Sequence, residues 1–135
     1  MVKKLVLLVI EDDEIERIIL NRICQNNHLE CQIIEAQDGE KALEYLSTTE
    51  SLPHIIMLDI NMSKMNGIEV LKILKSNNRF KYIPIVVLSS SENLEDIKNS
   101  YLFGASGYVL KPLHMDDYQK KMTSILNYWK INEFI

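Results

Sequence analysis

The feature of this sequence that most constrains its fold is a regular alternation between short apolar runs and segments with helical periodicity. The first run, Leu5–Ile10, is continuously apolar, which is typical of a strand buried on both faces. Four later segments are also predicted to be strands, at 32–36, 55–59, 85–88 and 108–110. The segments between them repeat apolar residues at helical spacings, and a final helix is predicted from about Asp116 to Lys130.

This alternation predicts the class of fold. Five repeats of strand then helix favour an α/β protein in which a parallel sheet is covered by helices on both faces, a doubly wound arrangement. The length of 135 residues suits one domain, since a typical domain has roughly 100–200 residues. No linker or internal repeat interrupts the pattern, so residues 1–135 are predicted to form a single domain.

The composition excludes several classes of function. Nineteen acidic residues against 15 basic ones give a net charge of -4, whereas a protein that binds duplex DNA normally has a basic face. The longest apolar run, Leu5–Ile10, is far shorter than the roughly 20 residues that a membrane helix needs. We therefore expect a cytoplasmic protein without nucleic-acid or membrane partners. Its two cysteines, Cys24 and Cys31, are expected to be packing residues rather than a disulfide.

Charged and hydroxyl side chains stand at the ends of four of the five predicted strands. In a parallel sheet the carboxyl ends of the strands meet at one edge, and ligands bind there. The residues concerned are Glu11, Asp12 and Asp13 at the first strand, Asp59 at the third, Ser89 at the fourth and Lys111 at the fifth. We expect these side chains to share one shallow site.

The residue types at this site indicate phosphoryl chemistry. Clustered carboxylates repel one another unless a cation offsets their charge, and Mg²⁺ prefers carboxylate oxygens. Lys111 and Ser89 are poor Mg²⁺ ligands but suitable partners for an anion. An aspartate that accepts a phosphoryl group forms an acyl phosphate, and Asp59 is the natural candidate because it ends an apolar strand that should hold it rigidly.

Five motifs, in order, resemble the receiver domain of two-component response regulators. They are VIEDD at 9–13, MLDINM at 57–62, MNG at 65–67, VLSS at 87–90 and GASGYVLKP at 104–112. Their spacing fits the family as well, with 30 residues from Asp59 to Ser89 and 22 from Ser89 to Lys111. The resemblance covers nearly the whole chain. It implies a flavodoxin-like (βα)5 three-layer sandwich with five parallel strands in the order 2-1-3-4-5.

The resemblance implies roles for individual residues at the phosphorylation site. Asp59 corresponds to the phosphoacceptor. Glu11 and Asp12 correspond to the acidic pair that binds Mg²⁺ together with Asp59, and Asn61 offers its backbone carbonyl to the same ion. Lys111 corresponds to the lysine that pairs with the phosphoryl oxygens.

Two further positions match the family's switch residues. Ser89 corresponds to the hydroxyl residue that moves toward the phosphoryl group, and Tyr108 to the aromatic residue that turns inward on activation. From the residues alone, Tyr108 could equally be half-buried packing. The bond from Lys111 to Pro112 is cis in the family.

The resemblance also implies partners. The phosphoryl donor is a sensor histidine kinase or a small phosphodonor, and the output is binding to a downstream protein or phosphate transfer to a histidine phosphotransfer domain. The face built by the fourth helix, fifth strand and fifth helix serves for homodimerisation in the family. No effector domain is expected after Lys130, so the chain is interpreted as a stand-alone regulator of the kind paired with phytochrome-type or hybrid kinases. Such a domain is a signalling switch rather than a metabolic enzyme.

Three departures from the family pattern leave alternatives open. Ser63 stands where the family usually has Pro, Ser90 stands where a smaller residue is common, and Asp13 adds a third acid beside the metal pair. Ser90 or Ser91 is also a candidate cap for the helix that follows. The main alternative function is a constitutive interaction domain with the same fold and no phosphorylation. A dehalogenase-type phosphatase is disfavoured because the first strand does not end in the D-x-D that it needs. A flavodoxin is disfavoured because the four acids after the first strand would repel a flavin phosphate.

Overall fold

The computed structural model describes residues 4–26 and 30–135 and consists of five strands and five helices in strict alternation. The elements are β1 (Leu5–Ile10), α1 (Glu14–Asn26), β2 (Cys31–Ala36), α2 (Gly39–Thr48), β3 (Ile55–Leu58), α3 (Gly67–Ser76), β4 (Ile85–Ser89), α4 (Leu94–Leu102), β5 (Gly107–Leu110) and α5 (Met115–Lys130). Each predicted run corresponds to one strand, so the predicted pattern is confirmed.

The strands form one parallel sheet in the order β2-β1-β3-β4-β5, which confirms the predicted topology. β1 is an interior strand of the sheet, paired with β2 on one side and with β3 on the other. Its apolar run is explained by this position, because a central strand covered by helices on both faces needs apolar side chains in both directions.

Alternate residues of the strands supply two separate cores, one on each face of the sheet. Leu8 and Ile10 of β1 face the core that α2 and α3 cover, whereas Leu7 and Val9 face the core that α1 and α5 cover. α4 packs against β5 and α3. The result is the predicted three-layer sandwich. Within residues 4–26 and 30–135, no helix combines the length and the apolar character needed to span a bilayer.

Three expectations about local structure are wrong. Cys24 and Cys31 form a disulfide, because the last turn of α1 lies against the start of β2 and brings their Cα atoms to 6.1 Å, within the range that a disulfide bridges. The Lys111–Pro112 bond is trans, the intrinsically favoured isomer. The cap of α4 is Asn93, whose side chain accepts a hydrogen bond from the Glu95 N–H.

Candidate functional site

The backbone ladder of the sheet continues one residue beyond three of the strands, and this continuation positions the site. The N–H of Glu11 donates to the Ala36 carbonyl at 3.1 Å, and the N–H of Asp59 donates to the Ile10 carbonyl at 3.0 Å. In the same way the N–H of Lys111 donates to the Ser89 carbonyl at 2.8 Å. The Cα positions of the acids and the lysine are therefore set by the sheet rather than by loops.

The side chains of Glu11, Asp59 and Lys111 meet at this edge, as the sequence predicted. The Lys111 ammonium lies 2.7 Å from Glu11 Oε1 and 3.6 Å from Asp59 Oδ2. A third carboxylate, that of Glu16 in the first turn of α1, lies 2.5 Å from the same ammonium. The side chains of Glu11, Asp59 and Lys111 are 5%, 8% and 12% exposed, so these charges interact in a largely water-excluded setting.

The charge balance of this cluster favours an additional cation. Three carboxylates against one ammonium leave a formal excess of two negative charges. Burial raises the pKa of Glu11 well above its ordinary value, and the carboxylates of Glu16 and Asp59 add to this, while Lys111 opposes it. Burial lowers the pKa of Lys111, but its hydrogen bonds to Glu11 and Glu16 and its attraction to Asp59 outweigh burial and raise that pKa overall. Carboxylate oxygens of Glu11, Glu16 and Asp59 lie within 4.8 Å of one another, close enough for one metal ion.

Asp12 lies at the rim, outside this group of three carboxylates. Its Oδ2 accepts hydrogen bonds from the backbone N–H of Ser63 at 3.1 Å and from the Ser63 hydroxyl at 3.3 Å. Proline, the usual family residue at that position, offers neither donor. Asp13 does not join the cluster either. It caps α1, because its side chain accepts from the Ile15 N–H at 2.9 Å, which agrees with its expected place at the start of the first helix.

The two predicted switch residues are connected through Ser91. Ser89 is fully buried, and its Oγ accepts hydrogen bonds from the Asn61 amide at 3.2 Å and from the Ser91 N–H at 3.1 Å. The Tyr108 hydroxyl donates to the Ser91 carbonyl at 2.8 Å. The Ser91 hydroxyl in turn bonds the Asp96 carboxylate of α4 at 2.6 Å. A continuous hydrogen-bonded path therefore runs from the loop after Asp59 to α4 and β5.

Glu16 is the functional residue that sequence reasoning missed. It stands three residues after the cap Asp13, where an acidic residue normally bonds back to the cap backbone as part of a capping box. In the structure the Glu16 carboxylate instead accepts a hydrogen bond from the Lys111 ammonium. Helical periodicity gave no separate signal for Glu16, because the side chain of α1 that faces the site depends on how the helix is rotated against the sheet.

Comparison with known proteins identifies the family. The family model described as the response regulator receiver domain matches residues 7–123. The chain belongs to the response regulator receiver family. Its receiver fold makes it a two-component response regulator, and such proteins act as signalling switches rather than as conventional enzymes.

Three relatives illustrate the similarity of this receiver domain. It is 31% identical to the probable methanogenesis regulatory protein FilR2 of Methanothrix harundinacea over 92% of this chain and 83% of that protein. It is 30% identical to the response regulator Rcp1 of Synechocystis over 92% of this chain and 88% of Rcp1. The Mn²⁺-bound crystal structure of Rcp1 superposes with a TM-score of 0.87 over 96% of this chain and 97% of that one, at 28% identity.

A third relative is the phosphorylated cyanobacterial phytochrome response regulator RcpA. Its crystal structure superposes with a TM-score of 0.88 at 29% identity, over 93% of this chain and 94% of that one. The described fold is therefore that of receiver domains for which a metal-bound and a phosphorylated form have been solved.

Proposed function

We propose that this receiver domain accepts a phosphoryl group on Asp59, with Mg²⁺ as the cofactor and a sensor histidine kinase as the donor. The observation that carries the proposal is the position of Asp59. Asp59 is buried, and its backbone N–H is hydrogen-bonded to the sheet. Its carboxylate lies 3.6 Å from the Lys111 ammonium. A carboxylate in that setting is held rigidly and faces a cation that can pair with an incoming phosphoryl oxygen.

The donor set suits a divalent metal. Glu11 and Asp59 offer hard carboxylate oxygens at the cluster, Asp12 lies at its rim, and the backbone carbonyl of Asn61 belongs to the loop that follows Asp59. Oxygen ligands of this kind are those that Mg²⁺ and Mn²⁺ prefer. A divalent ion bound there supplies positive charge that neutralises phosphoryl oxygens. A divalent ion bound there would offset the mutual repulsion of these carboxylates.

The proposed reaction is a nucleophilic displacement at phosphorus. An oxygen of Asp59 attacks the phosphorus of a phosphohistidine on the kinase and the P–N bond breaks. Its electron pair goes to the departing imidazole, which takes up a proton from solvent water. Asp59 then carries a mixed carboxylic–phosphoric anhydride. Lys111 pairs with one phosphoryl oxygen, and Ser89 donates its hydroxyl proton to another.

The path through Ser91 supports a mechanism for signal output. The Ser89 hydroxyl oxygen is an acceptor for Asn61 and for Ser91, so its own proton is available for a phosphoryl oxygen. Movement of Ser89 toward the phosphoryl group pulls on the Ser91 N–H. Because the Ser91 carbonyl holds the Tyr108 hydroxyl, the displacement reaches β5, and through the Ser91 hydroxyl it reaches α4.

The proposed output surface is the α4–β5–α5 face. Large apolar side chains stand exposed on α4, in the loop before α5 and at the start of α5: Leu94, Tyr101, Leu102, Leu113 and Met115. An apolar surface beside a switch suits a partner that docks only in one state. We propose a downstream protein, a histidine phosphotransfer domain or a second copy of this chain as that partner, within the cytoplasm.

The test is phosphorylation by a small donor. Purified protein is incubated with acetyl phosphate and Mg²⁺, and its intact mass is measured. We expect the mass of one phosphoryl group to be added, and no addition for Asp59→Asn or when the metal is chelated. Asp13→Asn is the matched control, because Asp13 caps α1 and stands outside the cluster. Absence of any addition to the unmodified chain, together with no binding of the phosphoryl mimic beryllofluoride, would instead support the constitutive interaction domain.

A further inference from the structure

Lys111 has two carboxylate partners closer than the phosphoacceptor. Its ammonium lies 2.5 Å from Glu16 and 2.7 Å from Glu11, but 3.6 Å from Asp59. An ammonium has three N–H donors, and two of them are engaged by the glutamates. One N–H therefore remains for a phosphoryl oxygen, and the two glutamates share the charge of the ammonium with any group that forms on Asp59.

Of these carboxylates, Glu16 is the one that the proposed chemistry assigns neither to the phosphoacceptor nor to the metal ligands, although it lies in the same cluster. Asp59 becomes the acyl phosphate, and Glu11 is a proposed metal ligand whose charge the metal offsets. Glu16 belongs to α1 rather than to a strand end, and its side chain is 26% exposed. Once Glu11 is neutralised by the metal, Glu16 remains the anion that opposes the phosphoryl group for the same ammonium.

We propose that Glu16 is a positioning residue that holds Lys111 while Asp59 is unphosphorylated and competes with the phosphoryl group for its ammonium. This proposal rests on the proposed function of Asp59. Glu16 makes the phosphorylated state less stable than it would be without this glutamate. The reason is that the bond from Glu16 to Lys111 must weaken when the phosphoryl group forms.

A buried hydroxyl in α5 supports an exchange of partners. Tyr118 is 7% exposed, and within the described part of the chain its hydroxyl has no hydrogen-bond partner. Burial raises the pKa of the Tyr118 hydroxyl above its ordinary value, and the negative charge of Glu16 raises it further. An unpaired buried hydroxyl is costly, so it is available to a carboxylate that has released its lysine. We infer that Tyr118 donates to Glu16 when Lys111 turns to the phosphoryl group.

The test measures the affinity for beryllofluoride by ¹⁹F NMR at saturating Mg²⁺, a concentration determined separately for each variant. Glu16→Gln is expected to raise the affinity about tenfold, the scale of one charge-assisted hydrogen bond. The matched control is Glu14→Gln. It removes the same charge from the same turn of α1, but Glu14 is exposed and its side chain forms no hydrogen bond or ion pair with any described residue. The control is expected to match the unmodified protein.

A second variant tests the exchange. Tyr118→Phe is expected to lower the affinity a few-fold in the unmodified chain and to leave it unchanged in the Glu16→Gln background, because a neutral glutamine needs no replacement partner. A Tyr118→Phe effect of equal size in both backgrounds would overturn the role of Tyr118.

A third measurement does not depend on phosphorylation. A double-mutant cycle of Glu16→Gln with Lys111→Met in metal-free protein is expected to show coupling in urea unfolding, and Glu14→Gln with Lys111→Met to show none. If beryllofluoride binds but Glu16→Gln equals Glu14→Gln or binds more weakly, the proposal for Glu16 is refuted. If neither beryllofluoride nor acetyl phosphate modifies the unmodified chain, the proposed function fails, and the cycle still decides whether Glu16 holds Lys111.

Discussion

Replacement of Gly67 by alanine tests how tightly the phosphoacceptor loop is packed. Gly67 is the first residue of α3 and is buried, and its N–H donates to the Ile60 carbonyl at 3.1 Å. A Cβ at this position would lie against the Ile60 Cα, 2.5 Å from the Asp59 carbonyl oxygen and 3.0 Å from the Asp59 carbonyl carbon. All three obstructing atoms are backbone, so no side-chain rotation can relieve the overlap.

The size of the effect follows from two opposing contributions. Alanine is favoured over glycine inside a helix by about 1 kcal/mol, and by less in the first turn. Forcing one extra carbon into a packed site costs about 1–3 kcal/mol. The cost of the overlap is therefore expected to exceed the gain in helix propensity, with a net loss of about 1–2 kcal/mol in the free energy of unfolding. The displaced backbone is that of Asp59, so the rate of phosphorylation is expected to fall at least about tenfold, since small misplacements of reacting groups are costly.

The assay pairs urea unfolding followed by circular dichroism with acetyl phosphate labelling followed by intact mass. Gly107→Ala is the matched control, because a Cβ at Gly107 meets only the Val86 Cγ1, at 4.0 Å. The control is expected to be as stable as the unmodified protein or up to about 1 kcal/mol more stable, because alanine is favoured over glycine within a strand. The reasoning is refuted if Gly67→Ala is as stable as Gly107→Ala and is phosphorylated at the unmodified rate.

Two further predictions concern groups away from the reacting atoms. Burial lowers the pKa of His54 below its ordinary value of 6.5, and its Nδ1 accepts the Val6 N–H at 2.9 Å. The stability that this histidine contributes is therefore present above pH 6.5 and is lost as the pH falls through its lowered pKa. The difference in unfolding free energy between the unmodified protein and His54→Gln should shrink between pH 7.5 and pH 5, and a constant difference would contradict this. Asp38 caps α2 by accepting the Lys41 N–H at 2.8 Å, so Asp38→Ala should cost about 1 kcal/mol in urea unfolding. Asp38→Asn should retain most of that stability, and equal losses in both variants would show that the cap is not the cause.

The fold could be predicted from the sequence because its main signal is local. The continuous apolar run at 85–88 is buried at every position, and such a run has few alternatives to a central parallel strand. Boundaries were less accurate where polar residues begin an element. Asp38 and Gly39 are residue types typical of a turn, yet they form the cap and first residue of α2. The disulfide was missed because sequence spacing does not reveal which segments lie side by side.

The candidate site was predictable only where strands carry it. Glu11, Asp59 and Lys111 each follow a strand, and the topology of a parallel sheet brings such residues to one edge. Glu16 and Tyr118 lie inside helices, where the side chain that faces the site depends on how α1 and α5 are rotated against the sheet. That rotation is decided by packing of the core on the α1–α5 face. Periodicity alone therefore did not identify either residue.

The backbone bonds that extend the ladder beyond β1, β3 and β5 have a consequence for how this protein loses activity. The amides of Glu11, Asp59 and Lys111 are hydrogen-bonded in the ladder of the sheet, so their exchange with solvent deuterium requires a strand to separate from its neighbour rather than fraying of a loop. We therefore expect the residues of the site to unfold together with the core and not in a separate local transition. Heat and denaturant should therefore abolish phosphorylation along the same curve as global unfolding, and partly inactive folded species should not accumulate.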